Sequence, residues 1–253
     1  MTPGLAGELR GELDLLAEAG LARTLELQSV IERAADFTSN DYLGLALHPE
    51  VIAASQSALA EFGAGARASR LLGGGSPLES LAEERLAEWV ETETALLFPT
   101  GFQANLGLIT SLAGSGDLLL CDARIHASMI DACRLTKAQR RIFAHNDLQQ
   151  LAQALVHSRG ARRRIVLVES IYSMDGDLAP LAPIAELCEQ HDAWMVVDEA
   201  HAIGVCGARG AGLVAELSPR HCARVLARVM TGGKALGCGG GFVASSKEVR
   251  EQL

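Results

Sequence analysis

Seven short apolar runs punctuate this chain, at 95–99, 118–121, 141–144, 165–169, 194–198, 225–230 and 241–244, and segments of helix length separate most of them. Runs this short and this continuous read as strands buried on both faces, and their alternation with helical patterns is the signature of a doubly wound sheet. The expected fold is α/β, a seven-stranded, mostly parallel sheet with helices on both faces. Only the link from Gly232 to Gly240 is too short for a right-handed crossover helix, so the final strand is expected to run antiparallel. Before the first strand, helical spacing recurs from Leu5 to Leu27, from Pro49 to Glu61 and from Pro77 to Val90. Between the last two, Gly63 to Gly75 is too rich in glycine for a helix and reads as an ordered loop or linker.

The polar residues that follow the runs matter most, because open α/β sheets bind ligands at the carboxyl ends of their strands. The run at 194–198 delivers Asp198 and His201 to that edge, and the run at 225–230 leads into Thr231-Gly232-Gly233-Lys234. A carboxylate, an imidazole and an amine therefore converge, and an amine so placed can form a Schiff base with a cofactor aldehyde. Thr100 to Asn105 closes the first strand and opens a helix, whose N-terminal N–H groups suit a phosphate. Asp122 to Ser128 closes the second and Glu169 to Asp177 the fourth. Taken singly, each has a plainer explanation: an ordinary strand-to-helix turn, a hydrogen-bonded structural His126, an Asp-Gly turn at Asp175-Gly176. Their convergence on one edge is what packing alone does not explain.

Composition narrows the classes. A formal charge of −9 argues against a nucleic-acid surface, and the basic cluster Arg159 to Arg164 reads as a solvated loop. No apolar segment reaches the length of a membrane span, and the first residues carry no signal-peptide core, so the expected location is cytoplasmic. The six cysteines and seven histidines show no metal-site spacing; the expectation is no metal and reduced thiols packed mainly in the core.

Five motifs together carry a family resemblance. Ser39-Asn40-Asp41-Tyr42-Leu43-Gly44, Asp122-x-x-x-His126-Ala127-Ser128, Ser173-Met174-Asp175-Gly176, Asp198-Glu199-Ala200-His201 and Thr231-x-x-Lys234 occur in the order found in the α-oxoamine synthases, and the chain resembles that family from about Ser39 onwards. The resemblance implies the fold of the aspartate aminotransferase-like pyridoxal-phosphate transferases. Residues 1–45 would form an amino-terminal helix and arm, and 46–253 the cofactor-binding large domain. It implies pyridoxal 5'-phosphate as cofactor, a homodimer, and decarboxylative condensation of a small amino acid with an acyl-CoA. Gly65 to Leu71 and Gly74 to Leu78 look most like the branch that joins L-alanine to pimeloyl-CoA in biotin synthesis. The branch joining glycine to acetyl-CoA, an aminotransferase on the same fold, and an inactive fragment or paralogue are the alternatives.

Carried over position by position, the resemblance makes Lys234 the Schiff-base lysine and the acid/base at the substrate Cα. Asp198 would pair with the pyridinium nitrogen, keeping the ring cationic and so a better electron sink. His126 would stack on the ring, His201 would hydrogen-bond its phenolic oxygen, and Ser173 would lie near that oxygen. Thr231 and the N–H groups of Gly101 and Phe102 would hold the phosphate. Asn40 would reach towards substrate, and Arg23 is the candidate acyl-site arginine. Members of the family continue past the position of Leu253 into a small domain bearing a carboxylate-binding arginine; that domain is expected to be absent here.

Overall fold

A computed structural model describes residues 4–23 and 37–253. The chain divides into two units, 1–39 and 40–253. In the first, α1 spans Leu5–Glu18 and buries none of its residues. It stops short of the helical pattern extending to Leu27, because Gly20 takes a left-handed φ of 69° just beyond it; 24–27 lie outside the described residues.

The second unit opens with α2 (Pro49–Phe62) and α3 (Pro77–Val90), joined by the expected glycine-rich loop. Ser76 and Glu79 form a reciprocal capping box that starts α3, with Pro77 in its first turn. From there strands and helices alternate: β1 (Thr94–Phe98), α4 (Gly101–Leu112), β2 (Leu118–Asp122), α5 (Ala127–Leu135), β3 (Gln139–Phe143), α6 (Leu148–Val156), β4 (Arg164–Glu169), α7 (Leu181–Gln190) and β5 (Trp194–Asp198). The short α8 (Pro219–Cys222), β6 (Val225–Thr231), β7 (Gly241–Ser245) and α9 (Lys247–Gln252) complete it. All seven expected strands form one sheet, in the order β1-β7-β6-β5-β4-β2-β3. β2 to β6 run parallel, while β7 pairs antiparallel with both β1 and β6, as the short link before it requires.

Because strand side chains alternate faces, each central strand feeds two cores. Leu119, Cys121, Ile165, Leu167 and Val196 pack under α4 and α5 on one face. Leu118, Leu120, Val166, Val168, Met195 and Val197 pack under α6 and α7 on the other. Each fully buried aliphatic side chain among them contributes about 1.5–3 kcal/mol. These two layers hold the strand ends that carry the polar residues.

Two local expectations need correction. Arg159 to Arg164 is not simply a solvated loop: Arg162 grips the buried Asp117 with two nitrogens at 2.9 and 2.7 Å, Arg163 donates to the Leu112 carbonyl, and Arg164 opens β4. Burying Asp117 without a partner would be costly, and that demand recruits the guanidinium. Of the cysteines, only Cys121, Cys133 and Cys188 are buried; Cys238 is exposed. Arg250 lies on α9 and donates to Glu83 at 2.9 Å, a buried carboxylate that also accepts from Arg70 and from the Leu97 N–H.

Candidate active site

The carboxyl ends of β5 and β6 and the amino end of α4 enclose a cavity of about 230 Å³. Gly101, Phe102, Asn105, His126, Ser128, Glu169, Asp198, Thr231 and Lys234 line it together with Thr100, Ala200, Val229 and Met230. Six of the candidates from sequence, Gly101, Phe102, His126, Asp198, Thr231 and Lys234, thus face one space. His201 joins them through a 2.6 Å contact between its Nε2 and Lys234 Nζ. Ser173 sits exposed on the loop after β4 and is not part of the cavity wall; Asn40 is exposed and reaches the site through Tyr42. Arg23 is exposed in the first unit.

Asp198 ends a fully parallel stretch of β5 between Glu169 of β4 and Val229 of β6. One carboxylate oxygen accepts the Asn105 amide at 2.7 Å, and the other accepts the Ala200 N–H at 2.9 Å. The same Asn105 amide donates to Ser128 Oγ at 3.0 Å, and Ser128 Oγ lies 2.7 Å from His126 Nδ1. A buried rail therefore runs from Asp198 to His126. It pins the carboxylate from below and fixes the ring of His126, which also meets Phe102 edge-on at 6.4 Å.

Burial and the Lys234 ammonium push His201 down to about 4. Burial also lowers Lys234, with Asp198 and Glu169 opposing. A neutral imidazole has one donor and one acceptor, and the lysine only donates while protonated. Nε2 of His201 then accepts, and Nδ1–H donates to Tyr42 Oη at 2.7 Å; the Tyr42 hydroxyl in turn donates to Asn40 Oδ1 at 3.1 Å. Glu169 is driven the other way, up to about 8, by burial and the neighbouring Asp198. Its Oε1 and the Oδ1 of Asn105 are both buried without a partner among the described residues.

At the opposite wall, Thr100 caps α4 and Gly101 opens it, so the first N–H groups of a twelve-residue helix point at the cavity. A Cβ on Gly101 would come within 3.2 Å of Thr231, so glycine keeps this corner open. Thr231 Oγ1 accepts from the Gly233 N–H at 3.2 Å and bonds the Gly240 carbonyl, which sets the turn leading to Lys234.

Glu199 belongs to the same motif but does not face the cavity. It is fully buried against Arg228 of β6, and Arg228 also donates to the carbonyls of Val90 and Ala211. Its place is structural, tying β5 to β6. Four residues of the site carry no role in the sequence motifs that contain them: Asn105, Ser128, Glu169 and Tyr42. Each lay inside a quoted motif, but the contacts that reveal them span 93 and 159 positions.

The model of the family described as aminotransferase class I and II matches residues 33–253. An 8-amino-7-oxononanoate synthase of Mycolicibacterium gilvum is 44% identical over 235 residues, 93% of this chain, and the chain spans 61% of that relative's length. The serine palmitoyltransferase of Sphingomonas wittichii superposes with a TM-score of 0.84 at 34% identity, over 98% of this chain and 65% of that one. A serine palmitoyltransferase from S. paucimobilis, solved with pyridoxal phosphate and myriocin bound, gives a TM-score of 0.85 at 32% identity, over 98% of this chain and 68% of the other. The chain belongs to the class I and II aminotransferase family and, within it, to the α-oxoamine synthases.

Proposed function

We propose that residues 46–253 form the pyridoxal-phosphate-binding domain of an 8-amino-7-oxononanoate synthase, preceded by an arm at 1–45. The whole enzyme would join L-alanine to a pimeloyl thioester with loss of carbon dioxide, in the cytoplasm and as a homodimer. The observation that carries this reading is the cavity into which Lys234, Asp198 and the α4 amino terminus all project. The residues present fit the cofactor. A carboxylate with two donors behind it suits a protonated ring nitrogen, and the orphaned oxygens of Glu169 and Asn105 mark a wall built for a polar guest.

Pyridoxal phosphate, when bound, supplies an electron sink for bonds broken at the amino-acid Cα. The chain supplies the rest. Lys234 would hold the cofactor aldehyde and move the proton at Cα; burial lowers its basicity, which favours the free amine over the ammonium. Asp198 would keep a proton on the ring nitrogen. His126 would pack on the ring, and His201 would attend its phenolic oxygen. Thr231 and the Gly101 and Phe102 N–H groups would take the phosphate, and Asn40, joined to the site through Tyr42, would face the substrate.

Pyridoxal phosphate added to the protein should produce a visible absorption band, and borohydride should fix the group on Lys234. An adduct on Lys137 or Lys247 instead would overturn the assignment. With alanine and pimeloyl-CoA, coenzyme A release should depend on the amino acid; conversion of alanine to pyruvate without coenzyme A release would replace this reading by an aminotransferase.

A further inference from the structure

Beside the cavity, on the β2–β3–β4 side of the sheet, lies a second cluster of ionisable groups that no step above uses. His145, just after β3, places Nδ1 2.8 Å from Asp122 Oδ1 and Nε2 2.7 Å from Asp177 Oδ2. Carboxylates only accept, so satisfying both contacts requires a proton on each ring nitrogen, and the imidazole is a bridging cation. The Tyr172 ring stands against it at 4.4 Å, nearly perpendicular.

Each carboxylate is the hub of a different loop. Asp122 is buried at the end of β2; it also accepts the Arg124 N–H at 2.8 Å and the Asn146 N–H at 2.8 Å, which shapes the turn delivering His126 to the amino end of α5. Asp177 accepts the Asn146 side chain at 3.0 Å, and its backbone carbonyl holds the Tyr172 N–H at 3.0 Å, closing the loop that carries Ser173. Its Oδ1 is buried with no partner among the described residues, so His145 and Asn146 carry its anchoring.

We propose that His145 is a positioning residue for the cofactor site, a cationic clamp that holds the His126 turn and the Ser173 loop in register from outside the cavity. The inference rests on the proposed function for what the two loops serve, but the clamp itself is a property of the cofactor-free protein. The charged groups facing His145 are Asp122 at the end of β2 and Asp177 on the loop after β4; Arg124 and Asp175 pair with each other alongside. Burial opposes its protonation, and the two carboxylates outweigh it, raising the imidazole above its ordinary value of 6.5.

The test is amide hydrogen exchange on the cofactor-free protein, corrected for the intrinsic pH dependence, alongside pyridoxal-phosphate titration. His145→Gln, which cannot bridge both carboxylates as a cation, should speed exchange in 122–128 and 170–178 while leaving β5 and β6 unchanged. It should also weaken pyridoxal-phosphate affinity by about tenfold. Asp177→Ala, at a partly exposed position that tolerates truncation, should loosen only 170–178. Wild-type exchange in both loops should rise towards alkaline pH and that of His145→Gln should not. Unchanged exchange in both variants, or the same pH dependence in wild type and His145→Gln, would overturn the clamp. Exchange behaving as described in a protein that fails to bind pyridoxal phosphate would instead sink the proposed function and leave the clamp standing.

Discussion

His201 and His145 lie on the same edge of one sheet, yet one is neutral and the other cationic. His201, on the β5–β6 side, packs against an ammonium and is pushed down to about 4 by burial and Lys234. His145, on the β2–β3–β4 side, sits between two carboxylates and stays protonated beyond the usual range despite its partial burial. The residue type is the same; the partners decide. The β5–β6 side, with Glu169 at the end of the adjoining β4, keeps its groups poised to exchange protons: a lowered lysine, a neutral imidazole and a buried carboxyl pushed up to about 8. The other side locks its groups into complementary charge. One side is arranged for chemistry and the other for geometry, and this division can be broken experimentally.

The largest expected effect is at Lys234. Lys234→Ala should abolish borohydride-trapped cofactor entirely, since no other amine lines the cavity among the described residues. Retained trapping at wild-type stoichiometry would place the reactive amine elsewhere. Next comes Asn105, the rail between the Asp198 carboxylate and Ser128. Asn105→Ala removes a buried donor to a charged acceptor and should lower unfolding free energy by about 2 kcal/mol, read from urea midpoints. A change within measurement error would mean that water replaces the amide without cost and that the rail has no mechanical role.

Much of this was legible from the residues, for identifiable reasons. Strands buried on both faces, such as Ile165 to Glu169 and Trp194 to Asp198, announce themselves as unbroken apolar runs, and a polar residue directly after such a run must sit at the sheet edge. Asp198 and Lys234 were found by that rule alone. Tyr42 was not, because its partner His201 is 159 positions away and nothing local encodes the pairing. Asn105 looks like any helical polar residue until Asp198 is brought beneath it. Arg162 reads as part of a solvated loop because the carboxylate it grips, the buried Asp117, lies 45 positions upstream and nothing local marks that burial. Local chemistry follows from pattern, whereas long-range polar pairing follows from topology. The strand order, with β7 inserted between β1 and β6, is a fact of topology of this kind.

The two histidines should give the stability curve of the cofactor-free protein opposite limbs. The folded state resists protonating His201, so stability should fall as pH drops from 6.5 towards about 4, where only the unfolded chain takes up the proton. For His145 the contribution is complete below 6.5 and is lost as pH rises through its elevated folded value. Glu169 adds to the alkaline loss, because its folded carboxyl stays protonated up to about 8 against an ordinary value of 4.5. Urea midpoints at about pH 5, 7 and 9 should show His201→Gln flattening the acid limb and His145→Gln the alkaline one. Glu169→Gln, which keeps the shape without the charge, should be more stable than wild type at the alkaline end. A single limb that responds equally to both histidine variants would erase the distinction between the two sides of the sheet.

The smallest effect is the one that sharpens the comparison most. Arg124 and Asp175 form an ion pair between the same two loops that His145 bridges, but with side chains 49% and 45% exposed. Water screens such a pair and side-chain entropy offsets it, so its contribution should be under about 1 kcal/mol. His145 is 19% exposed and Asp122 fully buried, so the neighbouring contact is much less screened. Asp175→Asn should therefore shift urea midpoints only slightly, respond to added salt, and leave hydrogen exchange in 122–128 unchanged. If Asp175→Asn loosened both loops as much as His145→Gln, the surface pair would be holding them together, and the buried cation would be a consequence of the loop geometry, not its cause.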